Sequence, residues 1–137
     1  MSPEELGVEI GKLCAEAFDF IYEQFKDQPE INDELKKKFS AERERIFSRL
    51  VPLIKQQQQL SEEGITECNM NAGITVAESI PDMEEKSIEL LETIGNLENE
   101  PDQTFLMDVQ SLYMILSFLD MEEMQQNAPE LLKYVGF

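Results

Sequence analysis

The side chains of this chain that can take part in chemistry are overwhelmingly carboxylates. Its 137 residues include 29 Asp and Glu, 11 Lys and Arg and no His, which gives a formal net charge of -18. Without His, the chain lacks the commonest general base and a frequent metal ligand. Pairs of carboxylates can carry acid–base catalysis by themselves. They are so abundant here that no pair stands out, and we expect neither catalytic residues nor enzyme activity.

One group of acids has a regular spacing. Asp82, Glu85, Glu89 and Glu92 follow one another at steps of three, four and three residues, which places them along one side of a helix, ~5–6 Å apart. Like charges at this spacing destabilise a helix by ~0.2–0.5 kcal/mol per pair. Such a row either keeps a face solvated or attracts a basic partner, and its spacing resembles that of phosphates along a DNA strand. These four residues are the predicted partner-binding site.

No metal site or cofactor is expected. The acids in "DMEEKSIEL" and "ENEPDQ" lack the central Gly and terminal Glu of a calcium-binding loop, and the Glu-x-x-His motif of di-iron bundles needs a His. The two thiols, Cys14 and Cys68, fall at apolar positions of helical patterns. We expect both to be buried and reduced, because a free Cys behaves as a small hydrophobic residue; a disulfide between them is the alternative.

The basic side chains are concentrated in one segment. The stretch "KKKFSAERERIFSRL", residues 36–50, holds six of the 11 cations beside Glu42 and Glu44. Because the rest of the molecule is acidic, its field opposes a nucleic-acid patch, and we expect no direct binding of nucleic acid. We favour neutralisation of acids within the same molecule. An interface with an acidic partner or with a second copy is the alternative.

Apolar residues that recur every three or four positions predict helices throughout, and no stretch alternates as a strand would. Helix one begins at the cap Ser2 with Pro3 in its first turn, and it ends before "KDQPEIND". Helix two begins after Asn32 or Asp33. Pro52 removes a backbone donor and should kink this helix or divide it.

The next two helices are bounded by weaker signals. Helix three is predicted over residues 61–79, with Gly64 and Gly73 lowering its helical propensity. Helix four begins near Pro81, and Asp82 and Glu85 have the spacing of a capping box. The apolar face predicted for helix four consists of Met83, Ser87, Leu90, Leu91, Ile94 and Leu97.

The last third of the chain predicts one long helix and one short one. Helix five begins near Asp102 and is apolar over so much of its circumference that we expect it in the centre of a bundle. The segment "NAPELLKYVGF", residues 127–137, is typical of a short final helix. The predicted fold is therefore an all-α, antiparallel bundle of about five helices with a short C-terminal helix, in a single domain spanning residues 1–137.

These features predict a non-enzymatic protein-binding module that acts as an inhibitor, adaptor or chaperone through an acidic helical surface. The most specific version of this prediction is a nucleic-acid mimic that occupies a basic cleft on another protein. The alternative is a homo-oligomeric structural or assembly protein, a homodimer for example, joined by apolar surface of the C-terminal helices. "MSPEELGVEI" lacks the pattern of a signal peptide and the longest apolar run is "YMIL", so we expect a cytoplasmic protein without membrane contact.

Overall fold

A computed structural model describes residues 1–27, 30–97 and 100–113, and every regular element within them is an α-helix. The helices are α1 (Pro3–Phe25), α2 (Asp33–Gln58), α3 (Glu62–Ser79), α4 (Met83–Gly95) and α5 (Gln103–Tyr113). The prediction of an all-α helical bundle is confirmed. The predicted final helix and the part of helix five beyond Tyr113 lie outside the described residues.

Short polar side chains set the start of three helices. Ser2, Asn32 and Ser61 each accept a hydrogen bond from the backbone N–H three residues later, at 2.9–3.1 Å. Each bond satisfies one of the N–H groups that a first helical turn leaves without an internal partner. The predicted cap of helix one is thus confirmed, Asn32 rather than Asp33 caps α2, and Ser61 caps α3.

The first three helices alternate in direction. Arg45 of α2 reaches back to Glu16 of α1 at 3.5 Å, whereas Phe39, earlier in α2, packs on Phe25 at the end of α1. The two helices are therefore antiparallel. The chain reverses again between α2 and α3. Gly7 of α1 lies against Cys68 of α3 and Gly11 lies against Ala72, so α3 runs parallel to α1.

After α3 the chain bends without reversing. Lys86, near the start of α4, interacts with Asp19 of α1, and Thr93, near its end, lines a groove with Phe25. Later positions of α4 thus lie beside later positions of α1, so these two helices are parallel. Because α3 is also parallel to α1, α4 continues the direction of α3. At the bend, Asp82 has φ 55° and ψ 36°, the left-handed conformation that few residues other than Gly adopt. Its side chain caps nothing, so the predicted capping box is wrong.

α5 completes the bundle beside α2 and parallel to it. Three contacts, spaced about one helical turn apart, join the two helices: Lys36 to Asp102 at 3.0 Å, the rings of Phe39 and Phe105 at 5.4 Å, and Arg43 to Asp108 at 3.4 Å. The five described helices thus form four rods that alternate in direction, with α3 and α4 sharing the third rod. Rods that follow one another along the chain are antiparallel, as predicted.

The central helix is α1. It contacts each of the other four described helices, and its buried side chains include Ile10, Phe18 and Ile21. Helix five was predicted to be central over a length that continues beyond Tyr113, outside the described residues, so its central position stays a prediction. In the described part, α5 contacts mainly α1 and α2. Two polar side chains of α5, Asp108 and Ser111, lie among its buried residues.

α2 passes through Pro52 without dividing. Pro52 is exposed, so the carbonyl that loses its helical hydrogen bond is on the side of the helix nearest solvent. Beyond it, Gln57 is buried and its Nε2 donates to Asn69 Oδ1 of α3. This tertiary contact holds the last turn of α2, which helical propensity alone would leave weak after a proline.

Candidate protein-interaction surface

The predicted site residues are all exposed to solvent. Glu85, Glu89 and Glu92 lie one per turn on the outer side of α4, and we call these three residues the acidic row. Asp82 stands just outside the helix, at the left-handed bend, so it borders the row without sharing its helical register. The structure thus brings three of the four predicted acids into one line and places the fourth at its N-terminal end.

The middle of the acidic row is tied to α1. The hydroxyl of Tyr22 donates a hydrogen bond to Glu89 Oε2 at 3.1 Å, and this carboxylate raises the pKa of the phenol. Lys86 Nζ lies 5.0 Å from the centre of the Tyr22 ring, a cation–π contact. Glu89 is therefore a positioned side chain, while Glu85 and Glu92 project from the helix on either side of it.

Two acids of α1 lie near the acidic row, each beside a lysine. Asp19 is half-buried, and burial raises the pKa of its carboxyl, against the opposing effect of Lys86. Glu23, one turn further along, pairs with Lys26 at 2.7 Å. Sequence reasoning missed these neighbours because Tyr22 and Glu89 are separated by 67 positions. No local spacing could have revealed that contact.

Two apolar side chains lie exposed beside the acidic row. Ile88 and Leu91 keep 58% and 56% of their surface in solvent, although Leu91 was predicted to face the core. The cause is that α4 packs chiefly on α1, which covers only a narrow face. Leu90 is the one buried residue of this fully described helix. The outer surface of α4 therefore combines carboxylates with apolar anchors.

The basic segment, residues 36–50, pairs largely within the molecule. Lys36 pairs with Asp102, just before α5, and Arg43 pairs with Asp108 of α5, as described above. Arg45 pairs with Glu42 at 2.5 Å and also reaches α1. These contacts confirm the prediction that this segment neutralises acids of the same chain. Lys38 lies 3.9 Å from Glu34, one turn earlier in the same helix.

The thiols of Cys14 and Cys68 are buried and reduced, as predicted. Burial raises the pKa of Cys14 to about 12 and also raises that of Cys68, although Gln57 donates to the sulfur of Cys68. Cys68 lies beside Gly7, which precedes Cys14 by two helical turns, about 10 Å along α1. A disulfide needs Cα atoms within about 7 Å, so these two thiols cannot bridge in this fold.

Within residues 1–27, 30–97 and 100–113, no group of three potential metal ligands is assembled. None of the helices in that part of the chain is long and apolar enough to span a membrane. No protein-family model, curated protein or solved structure matches the chain. The class that the coordinates define is an all-α helical bundle, and its function is inferred from its own surfaces.

Proposed function

We propose that this chain is a non-enzymatic protein-binding module whose partner has a basic surface, and that the outer side of α4 is its binding site. The observation that supports the proposal best is the exposure of Ile88 and Leu91 next to Glu85 and Glu92. Apolar residues in the middle of an interface supply affinity. Carboxylates around them select a basic partner and accelerate its association.

The mode of action we propose is that of an adaptor or inhibitor that covers a basic surface on its partner. Carboxylates spaced one per helical turn resemble backbone phosphates, so a nucleic-acid-binding cleft is one surface that they would fit. A pure charge mimic does not need apolar anchors. The exposed pair on α4 therefore favours a partner that offers apolar contacts together with Lys and Arg.

The homo-oligomeric alternative depends on apolar residues of the predicted C-terminal helices, and most of these residues lie beyond Tyr113, outside the described residues. Within them, Met107 of α5 is the exposed apolar side chain that could contribute. A net charge of -18 on each copy opposes self-association at low ionic strength. Self-assembly therefore has less support than the binding of a basic partner.

The test compares two double variants of equal charge. Glu85→Lys with Glu92→Lys reverses both free carboxylates of the acidic row. Glu30→Lys with Glu44→Lys makes the same change in charge at exposed positions outside α3 and α4. Glu89 is left in place because it bonds to Tyr22. Circular dichroism should show that both variants remain helical.

Each variant and the wild-type chain are immobilised and exposed to native lysate at two ionic strengths. A partner retained by the wild type and by the control, but not by the α4 variant, supports the proposal. Its affinity should fall as salt rises, because charge pairs at an interface rim are screened. If the α4 variant and the control retain the partner equally, the binding site is not on α4.

A further inference from the structure

α3 is apolar on two opposite sides. Its inward side consists of small residues, among them Cys68 and Ala72, which are buried against α1. On the outward side, Met70 and Ile74 keep 58% and 49% of their surface exposed, and Ala77 is exposed one turn further along. The inward side explains how α3 joins the bundle. The outward side has no function in the described fold.

Gly73 lies in the middle of the outward side. A Cβ atom at this position would meet no other atom within 4 Å, so nothing in the described structure requires glycine there. Glycine is less favourable than alanine inside a helix. On α1, by contrast, Gly7 and Gly11 lack a Cβ where α3 approaches. Gly73 and Ala77 repeat that four-residue spacing of small residues on a face that is still open.

The charged side chains that α3 itself carries around this face all have one sign. Glu63 and Glu67 are exposed beside Met70 and form with it an open groove on the surface, and Glu78 is exposed at the other end of the helix. No Lys or Arg occurs in α3. A second copy would place its own Glu67 and Glu78 on the same surface, with -18 on each chain. Charge complementarity therefore favours a basic partner over a second copy.

We propose that the outward face of α3, defined as Met70, Gly73, Ile74 and Ala77, binds an amphipathic helix of another protein. Small residues of that helix would approach the backbone at Gly73, as α3 itself approaches Gly7. Its Lys or Arg side chains would lie opposite Glu63 and Glu67. Helix-in-groove docking of this kind uses apolar anchors at helical spacing. The inference is independent of the site on α4, so the chain would have two docking surfaces and could join two partners.

The probe is a synthetic amphipathic helix of about 18 residues made of Lys, Ala and Leu, long enough to present a continuous apolar stripe. A scrambled peptide of the same composition has no such stripe and serves as its control. Each is titrated into the full chain labelled at Met and Ile methyl groups. The patterned peptide should shift the methyl signals of Met70 and Ile74 saturably. The scrambled peptide should leave them in place.

Two double variants locate the site. Met70→Ser with Ile74→Ser, at exposed positions that the fold does not use, should weaken binding of the patterned peptide about tenfold or more. Ile88→Ser with Leu91→Ser removes a similar exposed apolar area from the site proposed on α4 and should leave the saturable methyl shifts of Met70 and Ile74 in place. Gly73→Leu, which fills the proposed approach site, should weaken binding as strongly as the first variant.

Several results would overturn the inference. Loss of the Met70 and Ile74 methyl shifts in the α4 double variant would place the peptide on α4. In a chain that already carries the α4 double variant, equal peptide affinity with and without the α3 double variant would exclude the α3 face. A dimer detected by sedimentation and abolished by the α3 double variant would make a second copy the occupant. Nuclear Overhauser contacts from Met70 to residues 114–137 would show that the face is covered by its own chain.

Discussion

The carbonyl oxygen of Cys68 occupies the space that a side chain of Gly7 would need. A Cβ atom on Gly7 would also lie 2.9 Å from Cβ of Asn71, and one on Gly11 would lie 2.7 Å from the carbonyl oxygen of Ala72. These separations are shorter than van der Waals contact between carbon or oxygen atoms. α1 and α3 can therefore pack at this distance only because the two positions of α1 carry no side chain.

Gly7→Ala should destabilise the protein despite the higher helical propensity of alanine. The added methyl group must push α1 away from the backbone of α3, and overpacking of this kind costs about 1–3 kcal/mol. Gly73→Ala is the matched control, because a Cβ there meets open space; it should stabilise the fold by about 0.5–1 kcal/mol. Urea denaturation followed by circular dichroism measures both. Equal stability of the two variants would show that the helices are not in close contact at Gly7.

Pro52→Ala should stabilise the chain. Alanine restores the backbone N–H that proline lacks inside α2, worth about 3 kcal/mol in a helix interior. About 1 kcal/mol of this gain is offset because the unfolded chain becomes more flexible without proline. We expect a net gain of about 1–2 kcal/mol in the free energy of unfolding and a higher melting temperature. A lower melting temperature would mean that the bundle needs a bend at this position.

Two carboxylates, Asp102 just before α5 and Asp108 within it, should respond to pH in opposite directions. Two hydrogen bonds hold the pKa of Asp102 below its usual value of 3.8. The one from Lys36 has the larger effect, and the one from the backbone N–H of Phe105 has the next largest. Burial raises the pKa of Asp108 above 3.8, only partly opposed by Arg43. By linkage, the fold favours ionised Asp102 and protonated Asp108 relative to the unfolded chain.

The unfolding free energy of the wild type minus that of Asp102→Asn gives the contribution of the Asp102 carboxyl. The same subtraction with Asp108→Asn gives that of Asp108, and both are measured as a function of pH. As pH falls below 3.8 through the lowered pKa of Asp102, the wild type should lose its advantage over Asp102→Asn. As pH rises from 3.8 through the raised pKa of Asp108, the wild type should lose stability relative to Asp108→Asn. Parallel pH profiles for the two variants would contradict the opposite environments of these carboxyls.

Neither thiol should react rapidly in the native protein. Cys14 and Cys68 are buried, and burial raises both pKa values, that of Cys14 to about 12. Because the thiolate is the nucleophile, labelling with a disulfide reagent at mildly alkaline pH should be slow. Both thiols should react at once in denaturant. Rapid native labelling of one thiol would indicate that the packing of α1 on α3 opens locally.

Much of the candidate site could be predicted from spacing alone. Glu85, Glu89 and Glu92 occur at helical intervals, and this local pattern suffices to place them on one side of α4. It did not indicate that Tyr22 would donate a hydrogen bond to Glu89, because that contact joins distant parts of the chain. Nor did it show that Leu91 would be left in solvent, since an apolar residue is buried only where another element covers it.

Local chemistry in the sequence determined where the helices occur. Caps such as Ser2 and Asn32 and the recurrence of apolar residues act within one or two turns, so they can be interpreted without knowledge of the fold. Tertiary structure alone decided that α1 is central, that α4 continues the direction of α3, and which apolar faces remain uncovered. These outcomes depend on how closely two helix backbones can approach, as at Gly7 and Cys68. That distance is set by pairs of residues far apart in the chain.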